Sequence, residues 1–194
     1  MGFTGQSKLG KTSQLPKQGV MYVNIGDLPD SHPRNAAYLR PDSAERYSKV
    51  AKVFAESIRR NNSLEDKGSN CPVLVEGKRD EETLRDIGFK GTIEVLNRGW
   101  DQSRLIAYLY DTYGSMNPID AGPPVIVLMD WDRTGGRLQS TIRKRLESLD
   151  VKIDESLWFA LMRTMKPEGR TVESLHAHAD TLLPFIQEHI GFDL

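Results

Sequence analysis

One amphipathic helix is the clearest pattern in the first 70 residues. After Asp42 and Ser43, apolar side chains recur at three- and four-residue spacing, at Tyr47, Val50, Phe54 and Ile58, which predicts a helix with one apolar face. Residues 1–20 contain three lysines, no acid and few large apolar side chains, which predicts a flexible basic arm. Residues 21–69, which hold the helix and end in a polar linker, are predicted to form an N-terminal extension.

From Cys71 onward, short apolar runs alternate with amphipathic segments. Buried strands are predicted at 72–76, 92–96 and 125–129, and helices at 81–87, 102–113, 136–149 and 171–190, the last bent or split at Pro184. The run 157–165 fits either element, and the alternation favours a strand. Strands that alternate with helices form a parallel sheet covered on both faces. The predicted fold class is therefore α/β, with one domain at 70–194.

The composition is that of a globular protein, with 194 residues, 38% hydrophobic and 27% charged. No apolar run approaches the roughly 20 residues that span a bilayer, so we expect a cytoplasmic protein without membrane association. The single cysteine, Cys71, excludes an internal disulfide and a multi-cysteine zinc site. A formal net charge of −1 gives no global attraction for a polyanion, so nucleic-acid binding would depend on local basic clusters.

Residues 5–12, GQSKLGKT, match the phosphate-binding pattern G-x-x-x-x-G-K-[ST]. That loop works between a buried strand and a helix whose N-terminal amides point at the phosphates. Only four residues precede Gly5, and Pro16 stands where the first turns of the helix would run. We interpret the match as part of a solvated arm. A nucleotide hydrolase is kept as a third hypothesis, with VIVLMD as its Mg²⁺-binding strand.

Two predicted strands end in acidic residues: VLVE at Glu76 and VIVLMDWD at Asp130 and Asp132. The carboxyl ends of parallel strands meet at one sheet edge, where ligands bind, so we expect the three carboxylates to converge. Close carboxylates repel one another unless they are protonated or bind a hard cation. The pattern predicts Mg²⁺, with Mn²⁺ as the alternative ion, held by Asp130 and Asp132. Glu76 would move a proton or share a second metal.

The same motifs resemble a known family. VLVEGKRDEETL at 73–84 and VIVLMDWDRTGGRL at 125–138 are similar to the Toprim domain, the metal-binding module of topoisomerases, bacterial-type primases, certain nucleases and recombination proteins. The string E-G-K-x-D resembles the small Toprim proteins related to ribosomal-RNA maturation nucleases. The resemblance implies a Toprim (Rossmann-like) fold and metal-dependent chemistry on the phosphodiesters of RNA or DNA. It also implies Glu76 as a catalytic residue and Glu76, Asp130 and Asp132 as metal ligands.

The members of this family differ in their additional domains. A topoisomerase needs a nucleophilic tyrosine on a separate domain, for which this chain has no room, and a primase of the bacterial type would add a cysteine-rich zinc module. The leading hypothesis is a nuclease acting on structured RNA. The alternative is a non-catalytic nucleic-acid-binding or scaffold protein of DNA replication, recombination or repair. The N-terminal extension is a candidate surface for a protein partner.

Basic residues follow the same strand ends as the acids, where a phosphate backbone would need neutralising. The predicted nucleic-acid contacts are Lys78, Arg79, Arg98, Arg133, Arg137, Lys166 and Arg170, and Arg143, Lys144 and Arg145 would extend this patch. Simpler interpretations exist for both sets. The basic residues would form a solvated helix face, Glu76 would cap a helix, and the aspartates would be turn residues. Trp131 is expected to pack against the sheet edge, with base stacking as the alternative.

Overall fold

The computed structural model describes residues 1–2 and 41–191. Its elements follow the order α1 (Pro41–Asn61), β1 (Val73–Val75), α2 (Lys78–Ile87), β2 (Ile93–Val95), α3 (Gln102–Tyr113), β3 (Ile126–Val127), α4 (Arg133–Glu147), α5 (Ser156–Thr164), a 3-10 helix (Glu173–His178) and α6 (Ala179–Gly191). The predicted basic arm and the phosphate-binding-loop match at 5–12 lie outside the described residues. These elements all belong to one compact unit, Pro33–Leu194, which crosses the predicted boundary near residue 70.

Three parallel strands form the sheet, in the order β2-β1-β3. In the register of β1 and β3, Val73 lies opposite Ile126 and Leu74 opposite Val127. The free edge of β3 is extended by an isolated parallel bridge between Ile126 and Asp154. The predicted α/β class and parallel sheet are confirmed.

Alternation along the strands creates one hydrophobic cluster on each face of the sheet. Val73 and Val75 pack in the cluster that contains α1, α2, α5 and α6, whereas Leu74 packs in the cluster that contains α3 and α4. The predicted covering of both faces is therefore confirmed. The apolar face of α1 lies within the first cluster, with Tyr47, Val50, Phe54 and Ile58 all buried.

Two predictions about the C-terminal third were wrong. The run 157–165 is not a strand, because α5 spans Ser156–Thr164, and Leu157, Leu161 and the C-cap residue Met165 are buried at helical spacing. The place beside β3 that a further strand would occupy is taken by the backbone around Asp154. The last helical segment is divided at Ala179, where the 3-10 helix gives way to α6, and Pro184 lies inside α6.

A buried glutamine of α4 holds this helix against the end of β3. The Oε1 atom of Gln139 accepts a hydrogen bond from Met129 N at 3.1 Å, and its Nε2 atom donates to Val127 O at 3.1 Å. The side chain thus supplies the hydrogen-bond partners that the backbone of a neighbouring strand would supply. It fixes the two elements on either side of the segment Asp130 to Asp132.

Among the described helices, none has the length and apolarity to cross a membrane.

Candidate metal and nucleic-acid site

Glu76 and Asp130 leave the sheet at the same level on adjacent strands. Leu128 N donates a hydrogen bond to Leu74 O at 2.9 Å. The backbone pairing between the two strands therefore continues to the residue two positions before each acid. Asp132 follows as the N-cap residue of α4. The carboxyl edge of the sheet therefore carries acids that follow both β1 and β3, as expected for parallel strands.

Four carboxylates act on one another at this edge. The pKa of Asp130 is raised to about 6: burial is the largest cause, a hydrogen bond from Val172 N opposes it, and the charges of Asp80, Glu76 and Asp132 raise it further. The pKa of Glu76 is raised by burial and then by the charges of Asp80 and Asp132. No ion pair within residues 41–191 involves any of the four. Their repulsion is thus not relieved by a lysine or arginine of the described chain.

Backbone amides orient the two aspartates. Asp130 Oδ1 accepts a hydrogen bond from Val172 N at 2.8 Å, and Asp132 Oδ1 accepts one from Gly135 N at 2.7 Å. The second bond is an N-cap, an interaction that typically stabilises a helix by about 0.5–2 kcal/mol. The Oδ2 atoms of both aspartates have no hydrogen-bond donor among the described residues. Each aspartate therefore keeps one oxygen for a ligand.

Asp80 belongs to this cluster, although sequence reasoning did not select it. It is 9% exposed, and its Oδ2 atom accepts a hydrogen bond from Gly77 N at 2.9 Å. Burial is the largest cause that raises its pKa. The signal was in the string E-G-K-x-D, because an acid at the third helical position commonly returns to the N-cap amide.

The loop that follows α5 fixes the segment between the two aspartates. Trp131 N donates to Arg170 O at 3.0 Å, and its indole Nε1 donates to Gly169 O at 2.8 Å. Trp131 is only 4% exposed, so it packs in the core as expected. Glu168 of the same loop forms an ion pair with Arg46 of α1 at 2.5 Å. The loop thus connects the acidic segment to α1.

The two glycines at the start of α4 have different functions. A Cβ atom on Gly135 would lie 2.2 Å from Asp130 O and 2.5 Å from Asp130 Cβ, whereas a Cβ atom on Gly136 would lie 3.7 Å from Trp158 Cζ2. The first distance is far below any real contact, and the second is ordinary van der Waals contact. The close approach of α4 to Asp130 therefore requires a glycine at position 135. It does not require a glycine at position 136.

The donor set suits a hard divalent cation, but the side chains are not gathered around one point. Mg²⁺ prefers oxygen ligands, and it typically takes one or two carboxylates and completes its shell with water and phosphate. Asp130 and Asp132 meet that requirement. Within residues 41–191, no three His, Cys, Asp or Glu side chains are arranged as a ready-made metal site. The structure therefore brings Glu76, Asp130 and Asp132 to one edge without forming a three-ligand cluster.

Most of the predicted basic contacts are exposed, although Arg79 forms an ion pair with Glu173 at 3.2 Å, and Arg98 is engaged in the fold. The exposed residues are Lys78, Arg79, Arg133, Arg137, Lys166 and Arg170. Arg98 instead forms an ion pair with Glu94, and its guanidinium lies 5.2 Å from the ring centroid of Trp100. Arg98 is thus held in a network between β2 and α3 rather than presented to a ligand.

Comparisons with known proteins give relatives named only as UPF0292 proteins. The protein of Thermoplasma volcanium is 32% identical over 111 residues, which cover 57% of this chain and 84% of that protein. The protein of Thermococcus onnurineus is 29% identical over 126 residues, which cover 64% and 86%. No family model matches the chain. Among solved structures, a putative protein from Aquifex aeolicus has 20% identity and a TM-score of 0.45, covering 62% of this chain and 94% of that one.

Proposed function

The chain belongs to the UPF0292 family, and we propose that it is a Toprim-like, Mg²⁺-dependent nuclease that hydrolyses phosphodiesters, with structured RNA as its preferred substrate. The observation that carries this proposal is the group of carboxylates at the ends of β1 and β3. Burial and mutual repulsion raise the pKa values of Glu76 and Asp130, and the described chain supplies no cation for them. A divalent cation would relieve this repulsion.

The proposed roles follow from the surroundings of each acid. Asp130 and Asp132 would hold the cation through their unengaged oxygens, and the bound cation would supply Lewis-acid polarisation of the scissile phosphate. Glu76 is half-buried and beside other acids, which favours its protonated form. It is therefore suited to give a proton to the leaving oxygen as the phosphorus–oxygen bond breaks. Water adds to the phosphorus, and the proton that this water loses restores Glu76.

Two observations favour the second candidate, a nucleic-acid-binding or scaffold protein without turnover. The described residues do not form a three-ligand metal cluster, and Asp132 already serves as the N-cap of α4. Under this alternative, the acids would shape the fold, and the basic residues would bind nucleic acid without cutting it.

A cleavage assay separates the two candidates. The full chain is incubated with structured RNA, unpaired RNA and DNA of matched sequence, in Mg²⁺, in Mn²⁺ and in EDTA. We expect products only with the divalent ions and most rapidly from structured RNA. Binding of these nucleic acids without cleavage in any ion would support the scaffold and contradict the nuclease.

A further inference from the structure

We propose that a groove lined by α4 and α5 is the path by which one unpaired nucleic-acid strand reaches the acidic site. This inference rests on the proposed function of that site, and it adds where the substrate runs and that the part held in the groove is an unpaired segment of the structured RNA. The groove has a volume of about 700 Å³ and is open to solvent along one side. Asp132 lines it together with Arg133, so the groove adjoins the carboxylate cluster.

Three cations follow the groove along α4. Arg133, Arg137 and Lys144 all line it. At 1.5 Å of rise per residue, they extend over about 16 Å of the helix. A strand stacked as in a duplex advances 3.4 Å per nucleotide, so this length corresponds to at most about five nucleotides. The row of charges therefore matches a run of phosphates rather than a single phosphate.

The groove cations are free, whereas their neighbours on the two flanks of α4 are engaged. Within the described chain, Arg133, Arg137 and Lys144 have no ion pair. Arg143 instead lies 3.4 Å from Glu155, and Arg145 donates to Ser103 Oγ at 3.1 Å. Both sets of basic residues lie on α4, but their side chains point in different directions. Free charge is thus concentrated on the side that faces the groove.

The floor of the groove is apolar. Trp131, Trp158 and Met162 line it, and both indole nitrogens donate inward, from Trp131 to Gly169 O and from Trp158 to Asp130 O. The ring surfaces that reach the groove therefore present carbon rather than a polar atom. Unpaired bases and sugars offer apolar surface to such a floor, whereas the bases of a duplex are already stacked on one another.

The size of the groove is compatible with one strand. A volume of about 700 Å³ falls in the range of small-ligand sites, about 300–1,000 Å³. It accommodates a few nucleotides. An acidic peptide would satisfy the cations equally well, but it has no phosphodiester to bring to Asp132, so the position of the groove favours nucleic acid.

The test is a binding measurement in EDTA, which requires neither metal nor turnover. Fluorescence anisotropy is recorded for the full chain with a short labelled single-stranded RNA, DNA of the same sequence, and the RNA annealed to its complement. The variant Arg137→Gln/Lys144→Gln removes two groove charges. The control Arg145→Gln/Lys152→Gln removes two charges outside the groove. Thermal unfolding of both variants confirms that the fold is retained.

We expect the groove variant to bind the single strand about tenfold more weakly than the unmodified protein, and the control to bind it like the unmodified protein. The slope of log K against log salt should fall by about 1.4, because each lost contact to a single strand contributes about 0.7. The duplex should bind more weakly than the single strand. Equal binding of the DNA strand would show that the groove recognises the phosphodiester backbone that RNA and DNA share.

Three results would overturn this inference: equal weakening in both variants, tighter binding of the duplex, or displacement of RNA by a short glutamate peptide at equal concentration. Failure of the nuclease proposal gives a different result, in which binding depends on Arg137 and Lys144 but no ion supports cleavage. If cleavage is retained while the groove variant binds normally, only the path of the strand is wrong.

Discussion

Glu76→Gln is expected to reduce metal-dependent cleavage by about 10²–10⁴-fold, the usual contribution of a general acid or base. Glutamine has the same shape but cannot give up or accept the proton. The Glu76 side chain forms no ion pair or hydrogen bond with another described side chain, so its replacement leaves the fold intact. Loss of one negative charge beside Asp130 also reduces repulsion in the cluster. Affinity for substrate in EDTA should therefore be unchanged or slightly higher.

The matched control is Glu82→Gln. Glu82 is an exposed acid of α2, and its replacement removes the same charge near the same strand end without affecting the carboxylate cluster. Initial rates for the two variants, measured with one RNA and one Mg²⁺ concentration, give the comparison. If Glu76→Gln cuts at the rate of the Glu82→Gln control, Glu76 does not transfer the proton and its assignment is wrong.

Gly135→Ala is expected to destabilise the protein by about 1–3 kcal/mol, the usual cost of an overpacked site, and to reduce cleavage strongly. The new methyl group would lie 2.2 Å from Asp130 O, so α4 or the acidic segment must move. A displacement of about 1 Å in a catalytic group costs on the order of 10²-fold in rate. Chemical denaturation and initial cleavage rates measure the two effects separately.

The neighbouring glycine gives the control for this substitution. Gly136→Ala adds the same methyl group at an ordinary contact distance of 3.7 Å from Trp158. Alanine is a better helix former than glycine by about 0.5–1 kcal/mol, so this variant should be as stable as the unmodified protein or more stable. Equal behaviour of the two alanine variants would show that close packing at Gly135 does not position Asp130.

Local patterning was sufficient to predict most of the fold. The helix with Tyr47 and Phe54 on its apolar face has a periodicity that only a helix satisfies, and the strands at Val73 and Ile126 are short apolar runs bounded by turn signals. The segment around Leu161 was misassigned because a short apolar run fits a strand and a buried helix equally well. Its state is decided by the sheet, whose edge is occupied by the backbone of Asp154.

Only the site residues that follow directly after a strand could be predicted from the sequence. Glu76 and Asp130 follow buried strands, so their shared edge could be inferred from alternation and parallel pairing. Asp80 acts from the following helix, and its effect on Glu76 depends on burial that no local pattern reveals. Arg98 forms an ion pair with Glu94, whereas Lys144 faces the groove. Both arrangements depend on how different elements pack together. Sequence reasoning therefore found the acids and could not sort the basic residues.

The central claim is that Asp130 and Asp132 hold a divalent cation. It is tested most directly by calorimetric titration of the metal-free protein with Mg²⁺ and Mn²⁺, beside the variant Asp130→Asn/Asp132→Asn. Asparagine Oδ1 can still accept the hydrogen bonds from Val172 and Gly135, so the folds remain comparable.

We predict saturable binding to the unmodified protein, with stabilisation of about 2.7 kcal/mol at a metal concentration one hundred times the Kd, and no binding to the variant. No binding heat and an unchanged thermal midpoint for the unmodified protein, or equal binding by the variant, would contradict the claim.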